Sequence, residues 1–146
     1  MKIRRAEIDD MVGVGNCHVI SRRVSLPFLP PVSRDEVIDY FCTKVWGQQE
    51  VWVAEEHDMI VGFVARTPGW INHLYILPDY QGSGIGAQLH EIAREGQDEM
   101  QLWAFQKNAK ARRFYENRGW TVTKETDGAD NMEKEPDVLY HWRREG

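Results

Sequence analysis

Residues 80–90 read YQGSGIGAQLH, a glutamine at 81 followed by glycines at 82, 84 and 86. Three glycines in five residues give up helix propensity and backbone entropy, so the segment has a use for open main-chain N–H groups. At the start of a helix such groups hold anions, because the N–H vectors point outward and the helix dipole adds positive potential. The following residues supply that helix, with apolar positions at Ile85, Leu89 and Ile92. Known phosphate cradles narrow the choice. A Walker loop needs Gly-Lys-Ser/Thr, whereas Gly86 is followed by Ala87 and Gln88. GSGIGA satisfies the dinucleotide pattern G-x-G-x-x-A, but that use requires an acidic residue ending the next strand, and MQLWAF runs into Gln106 and Lys107. A strand-to-helix corner that binds nothing is the third reading.

The elements that must position this loop alternate along the chain. MKIRRA reads as a short strand, and Asp9 or Asp10 is expected to cap a helix with Met11, Val14, His18 and Val19 on its inner face. LPFLPPVS, with three prolines, interrupts both helix and strand. SRDE at 33–36 is a capping box, and Val37, Ile38, Phe41, Cys42 and Val45 are the expected buried stripe of a second helix. EVWVAEE and MIVGFVA are strands turning at His57 and Asp58, and WINHLYIL is a third. The glycine loop then opens a helix to about Gly96, MQLWAF is a strand, and a short helix runs from about Asn108 to Arg118 with Gly119 at its C-cap. WTVTKE and DVLYHW pair across the polar loop TDGADNMEKEP. Many strands joined by short turns predict a mostly antiparallel sheet and an α+β class, at most three layers thick.

Composition bounds the function. At 146 residues the chain is expected to form one domain, 1–146. A formal net charge of -5, with no run of Lys/Arg carrying interleaved aromatics, argues against nucleic-acid binding. Cys17 and Cys42 lack metal-site or disulfide spacing and read as small buried side chains in a reducing compartment; no metal is expected. The amino terminus lacks the apolar core of a signal peptide and no apolar run is long enough for a bilayer, so the expectation is a cytoplasmic protein with no membrane partner.

Two segments together are more specific than the loop alone. Gln81-x-x-Gly84-x-Gly86, behind the strand HLYILP and ahead of an amphipathic helix, resembles the acetyl-CoA signature of the GNAT family of N-acetyltransferases. NAKARRFYENRGW resembles that family's second segment, with Asn108, Ala111, Phe114, Tyr115, Glu116 and Gly119 in register and Trp120 in place of Phe. The resemblance covers nearly the whole chain and is weakest between residues 20 and 50. It implies a three-layer α/β/α fold around a central, mostly antiparallel, splayed mixed sheet, and an enzyme that moves an acetyl group from acetyl-CoA to a primary amine. It also implies that Gln81, Gly82, Ser83, Gly84, Ile85, Gly86 and Ala87 cradle the pyrophosphate, that main-chain groups near Leu74 and Ile76 bond the pantetheine arm, and that Asn108 bonds its amides. Helix N-cap is the plain alternative for Asn108.

Tyr115 is implied as the general acid that protonates the departing thiolate; a packed helix tyrosine is its bland alternative. For the general base the sequence departs from the family pattern. Positions that often carry Glu or His match Trp70 and Asn72 here, and neither accepts a proton usefully. Asn72 or Glu55 could hold a water relay. His73 has a suitable ordinary pKa, about 6.5, but faces the other side of its strand from Asn72 unless a bulge re-aims it. The acceptor is a small-molecule or peptide amine; the protein is a monomer or homodimer. Family likeness makes TDGADNMEKEPD and SLPFLPPVS the acceptor walls. The acids at 127, 130, 133, 135 and 137 then favour a cationic acceptor, with a solvated acidic surface as the alternative. A non-catalytic acyl-CoA sensor and a dinucleotide-binding protein are the competing functions.

Overall fold

The structure, a computed structural model, describes residues 1–145. The strands are β1 (Lys2–Arg5), β2 (Glu50–Glu56), β3 (Met59–Thr67), β4 (Trp70–Ile76), β5 (Glu99–Phe105), β6 (Thr121–Thr126) and β7 (Asp137–Arg143). Four α-helices accompany them: α1 (Met11–Ser25), α2 (Arg34–Tyr40), α3 (Ile85–Arg94) and α4 (Ala109–Glu116). Strand order is β1-β2-β3-β4-β5-β7-β6, and the β4/β5 pairing is parallel. The expected mixed, mostly antiparallel α+β architecture is what forms. Among the described residues no helix is long and apolar enough to cross a membrane.

The chain divides into two compact units. The first holds Met1–Thr67 and Ile71–Glu95. Its core lies between one sheet face and α1 with its successor helix: Met11, Val14, Cys17, Phe41, Val45, Val51, Val53 and Phe63 are all buried. The opposite face meets α3, and a Cβ on Gly62 would stand 2.7 Å from Ile76 Cδ1 and 3.3 Å from Ile85 Cγ2. Helices therefore cover both faces of this half of the sheet. α1 and α2 pack closely because position 15 has no side chain; a Cβ there would lie 2.9 Å from the Ile38 backbone. The β2–β3 turn puts His57 and Asp58 in the left-handed region, the geometry of a two-residue hairpin.

Two local expectations are corrected. Asp10 does not cap α1 with its side chain. Its carboxylate instead accepts two hydrogen bonds from Arg4, at 2.7 and 2.9 Å, and one from the Glu7 N–H. The Arg4 guanidinium holds the Asp10 carboxyl below the usual range. Ser33 caps α2 as expected, accepting from the Glu36 N–H, but the single helix expected behind it changes pitch at Phe41. Phe41–Val45 is a π-helical turn, which buries Phe41 and Val45 while Val37, Ile38 and Cys42 are only half-buried.

The second unit holds Pro68–Trp70 and the chain from Gly96 onward. Here β5, β7 and β6 form an antiparallel set, and Trp70 at the start of β4 pairs with Gln101 of β5. One face, through Met100, Leu102, Val138, Tyr140 and Trp142, is buried. The β6–β7 loop is tied within itself: Asn131 donates to the Glu135 carbonyl at 2.7 Å and accepts from its N–H at 3.2 Å.

Candidate functional site

In the first unit the glycine loop does what its composition suggests. Gly82 and Gly84 have φ of +81° and +89°, a conformation L side chains rarely adopt, and nothing lies within 4 Å of where their Cβ atoms would be. Gly86 is different: it sits in the first turn of α3 without a positive φ. Gly84 occupies the N-cap and has no side chain to satisfy the helix start, so the first intrahelical donor is the Gln88 N–H to Gly84 O. As a result the N–H groups of Gly82, Ser83, Gly84, Ile85, Gly86 and Ala87 donate to no protein acceptor among the described residues. Six consecutive undischarged donors beside the positive end of a helix dipole are a geometry that suits an anion.

The loop is pinned from below. Gln81 Nε2 donates to the Ile76 carbonyl at 3.0 Å and to Ser25 Oγ at 3.3 Å, while Ser83 Oγ donates to the Tyr80 carbonyl at 2.6 Å. Gln81 thus joins the end of β4 and the end of α1 to the loop. The Ile76 carbonyl also accepts from Ser21 Oγ at 3.2 Å.

The three base candidates fall in separate places. Glu55 lies on β2, where its carboxylate meets Arg4 Nε at 3.4 Å. Asn72 is exposed, and its amide donates to Gln49 Oε1 at 3.1 Å and Thr67 Oγ1 at 3.2 Å. His73, the next residue of β4, packs on the α1 side against Phe41, with ring centroids 5.1 Å apart, in line with strand alternation. Burial pushes its imidazole down to about 4. Its neighbour His18 on α1 belongs to the same cluster and carries no sequence signal beyond its place on the helix's inner face.

In the second unit Asn108 caps α4, its Oδ1 accepting from the Ala111 N–H at 3.2 Å. Tyr115 is only 8% exposed, its ring packed 5.7 Å from Trp120 and 6.2 Å from Tyr140. Glu116 and Arg112, one turn apart, clamp α4 to β7: the Tyr140 hydroxyl donates to Glu116 and accepts from Arg112 Nε at 3.0 Å. Burial, then the Glu116 hydrogen bond, raise the Tyr140 phenol above its ordinary pKa. A cavity of about 460 Å³ opens under the β6–β7 loop, lined by Trp103, Phe105, Lys124, Asp130 and Glu133 among others. Trp103, 46% exposed, was not marked by any motif. Asp137 faces this cavity and is engaged by Thr126 and Asn131, and Glu135 pairs with Lys107.

Comparison with known proteins bears on both units. The family model described as an acetyltransferase (GNAT) domain matches residues 47–122. An uncharacterized N-acetyltransferase of Archaeoglobus fulgidus is 35% identical, over 79% of this chain and 89% of its own length. YjaB of Escherichia coli, whose apo form was solved in solution, superposes with a TM-score of 0.78 at 25% identity, covering 97% of this chain and 96% of that one. The protein yncA of Salmonella typhimurium, solved with its cofactor acetyl-CoA, has the same fold, with a TM-score of 0.73 at 19% identity over 100% of this chain and 95% of that one.

Proposed function

The chain belongs to the GNAT family of acetyltransferases, and from that premise we propose that residues 1–146 transfer the acetyl group of acetyl-CoA to a primary amine of a small molecule or peptide. The observation that carries this reading is the run of six undischarged N–H donors from Gly82 to Ala87. A pyrophosphate has the charge and the acceptor oxygens to discharge them, and it explains how a chain of net charge -5 binds a polyanion. Main-chain groups at Leu74 and Ile76 and the Asn108 side chain are the proposed pantetheine contacts.

In the transfer, the amine nitrogen forms a bond to the thioester carbonyl carbon, the carbon–sulfur bond breaks, and the thiolate takes a proton. Tyr115 is the proposed donor of that proton. The proton lost by the amine passes to solvent through a water held by Asn72 or Glu55. His73, with its pKa about 4, suits proton storage less well at neutral pH. A sensor that binds acyl-CoA without chemistry would not need Tyr115, which this chain keeps.

The acceptor is proposed to carry a cationic group. What favours this is the cavity under the β6–β7 loop, where Trp103 and Phe105 supply aromatic surface and Asp130 and Glu133 supply negative charge beside the single Lys124. Thiol release from acetyl-CoA, measured across a panel of cationic, neutral and anionic primary amines, tests both parts. Turnover with cationic amines is expected, and Asp130→Asn combined with Glu133→Gln should raise the acceptor KM while leaving that for acetyl-CoA alone. An anionic best acceptor would sink the cationic reading, and no thiol release with any amine would sink the transfer itself.

A further inference from the structure

α4 buries one side chain, and that side chain is Tyr115. An apolar stripe along a helix ordinarily fixes how it is turned about its own axis against a sheet; a single ring leaves the helix free to rock about the point of contact. Polar contacts to β7 supply the missing constraint. Tyr140 is wholly buried, so its hydroxyl must find partners within the protein. It finds both on α4, donating to the Glu116 carboxylate and accepting from Arg112 Nε at 3.0 Å. Arg112 and Glu116, one helical turn apart, stand 3.7 Å from each other and grip the hydroxyl between them.

Tyr115 is the neighbour of one gripping residue in the chain and lies three positions from the other. Its ring is 6.2 Å from that of Tyr140, inclined at 42°, and 5.7 Å from that of Trp120, whose N–H donates to the Tyr115 carbonyl at 3.2 Å. Apolar packing is non-directional, whereas hydrogen bonds weaken steeply off axis, so the grip on Tyr140 sets the rotation of α4 more sharply than the rings do.

We propose that Tyr140, gripped by Arg112 and Glu116, is a positioning residue for the transfer: it fixes the rotation of α4 on β7 and so aims the Tyr115 hydroxyl at the departing sulfur. This rests on the reading of Tyr115 as the acid and deepens it. Misplacing a reacting group by about 1 Å can cost roughly 100-fold in rate, so a constraint on the helix alone is enough to govern the proton transfer. The gripping side chains are 29% and 49% exposed, and both can turn to water when the hydroxyl is gone. Tyr140→Phe therefore keeps the buried ring and the fold while freeing the helix to turn.

Protein carrying carbon-13 in its tyrosine rings tests the grip without turnover. Tyr140→Phe and Glu116→Ala remove no ring from around Tyr115, yet each should shift or broaden the Tyr115 ring signals. Arg113→Ala, at an exposed position of the same helix, should leave them in place. In single-turnover thiol release Tyr140→Phe should lower the rate about 10- to 100-fold, with the KM values for acetyl-CoA and acceptor unchanged. With Tyr115→Phe already present, adding Tyr140→Phe should cost less than about 2-fold more, because no hydroxyl is left to aim. Glu116→Gln, which keeps an acceptor for the Tyr140 hydroxyl, should recover most of the rate that Glu116→Ala loses. Tyr115 signals that stay put in Tyr140→Phe, or rate losses that multiply in the double variant, overturn the assignment, and Glu116→Ala supplies the same spectral test should Tyr140→Phe fail to fold. Moved signals together with a wild-type rate for Tyr115→Phe would uphold the grip and locate the failure in the acid reading.

Discussion

A phenol that is to protonate a departing thiolate must be held in one orientation, and Tyr115 is packed against Trp120 and Tyr140 at 8% exposure. The packing would survive loss of the hydroxyl. Tyr115→Phe should therefore leave the melting temperature and acetyl-CoA affinity nearly unchanged while kcat falls roughly 10- to 1000-fold, around the range of general acid catalysis. Steady-state and single-turnover thiol release separate these effects, and an unchanged single-turnover rate would remove Tyr115 from the chemistry. At this scale the sequence was informative where a residue type is demanded by the backbone: Gly82 and Gly84 for their positive φ and Asn108 as a cap. It was silent on His18 and Trp103. Their significance lies in which side chains meet across elements distant in sequence, and periodicity reports only that His18 faces inward.

The element that matters most is the corner between β4 and α3. Strand, loop and helix were all legible, because a β-rich run, a glycine cluster and an amphipathic stretch follow one another. What the sequence did not reveal is that Gln81 ties the corner to Ile76 and Ser25. Nor did it show the pitch change at Phe41, since apolar spacing is the same for an α-helix and for one with a single π turn. Gly84→Val combines a strained φ of +89° with a branched side chain in open space beside the N–H cradle. The variant should melt lower than wild type and lose the stabilisation that acetyl-CoA confers. Gly69→Val is the control, with a φ of +80° and equally open surroundings in another turn. It should melt lower but keep the ligand-induced rise. Equal rises for both variants would show that the loop does not hold the coenzyme.

For the molecule as a whole, the imidazoles of His73 and His18 couple stability to pH. Their folded values, about 4 and about 3, lie below the ordinary 6.5, so beneath pH 6.5 the unfolded chain binds protons that the folded chain does not. Stability from this source is complete above pH 6.5 and is lost as pH falls toward 4, by about 1 kcal/mol per imidazole for each pH unit. Urea midpoints at pH 7.5, 6.0 and 5.0 should fall steadily for wild type and more shallowly for a His18→Gln/His73→Gln variant; parallel profiles would contradict the assignment. The central proposal is nonetheless that the main chain at residues 82–87 captures a polyanion. Amide spectra of nitrogen-15-labelled protein titrated with coenzyme A test it most directly. The amide signals of Gly82 to Ala87 should move together with one saturating dissociation constant as their N–H groups acquire phosphate acceptors. Coenzyme A binding that moves other amides and leaves these six in place would contradict the account.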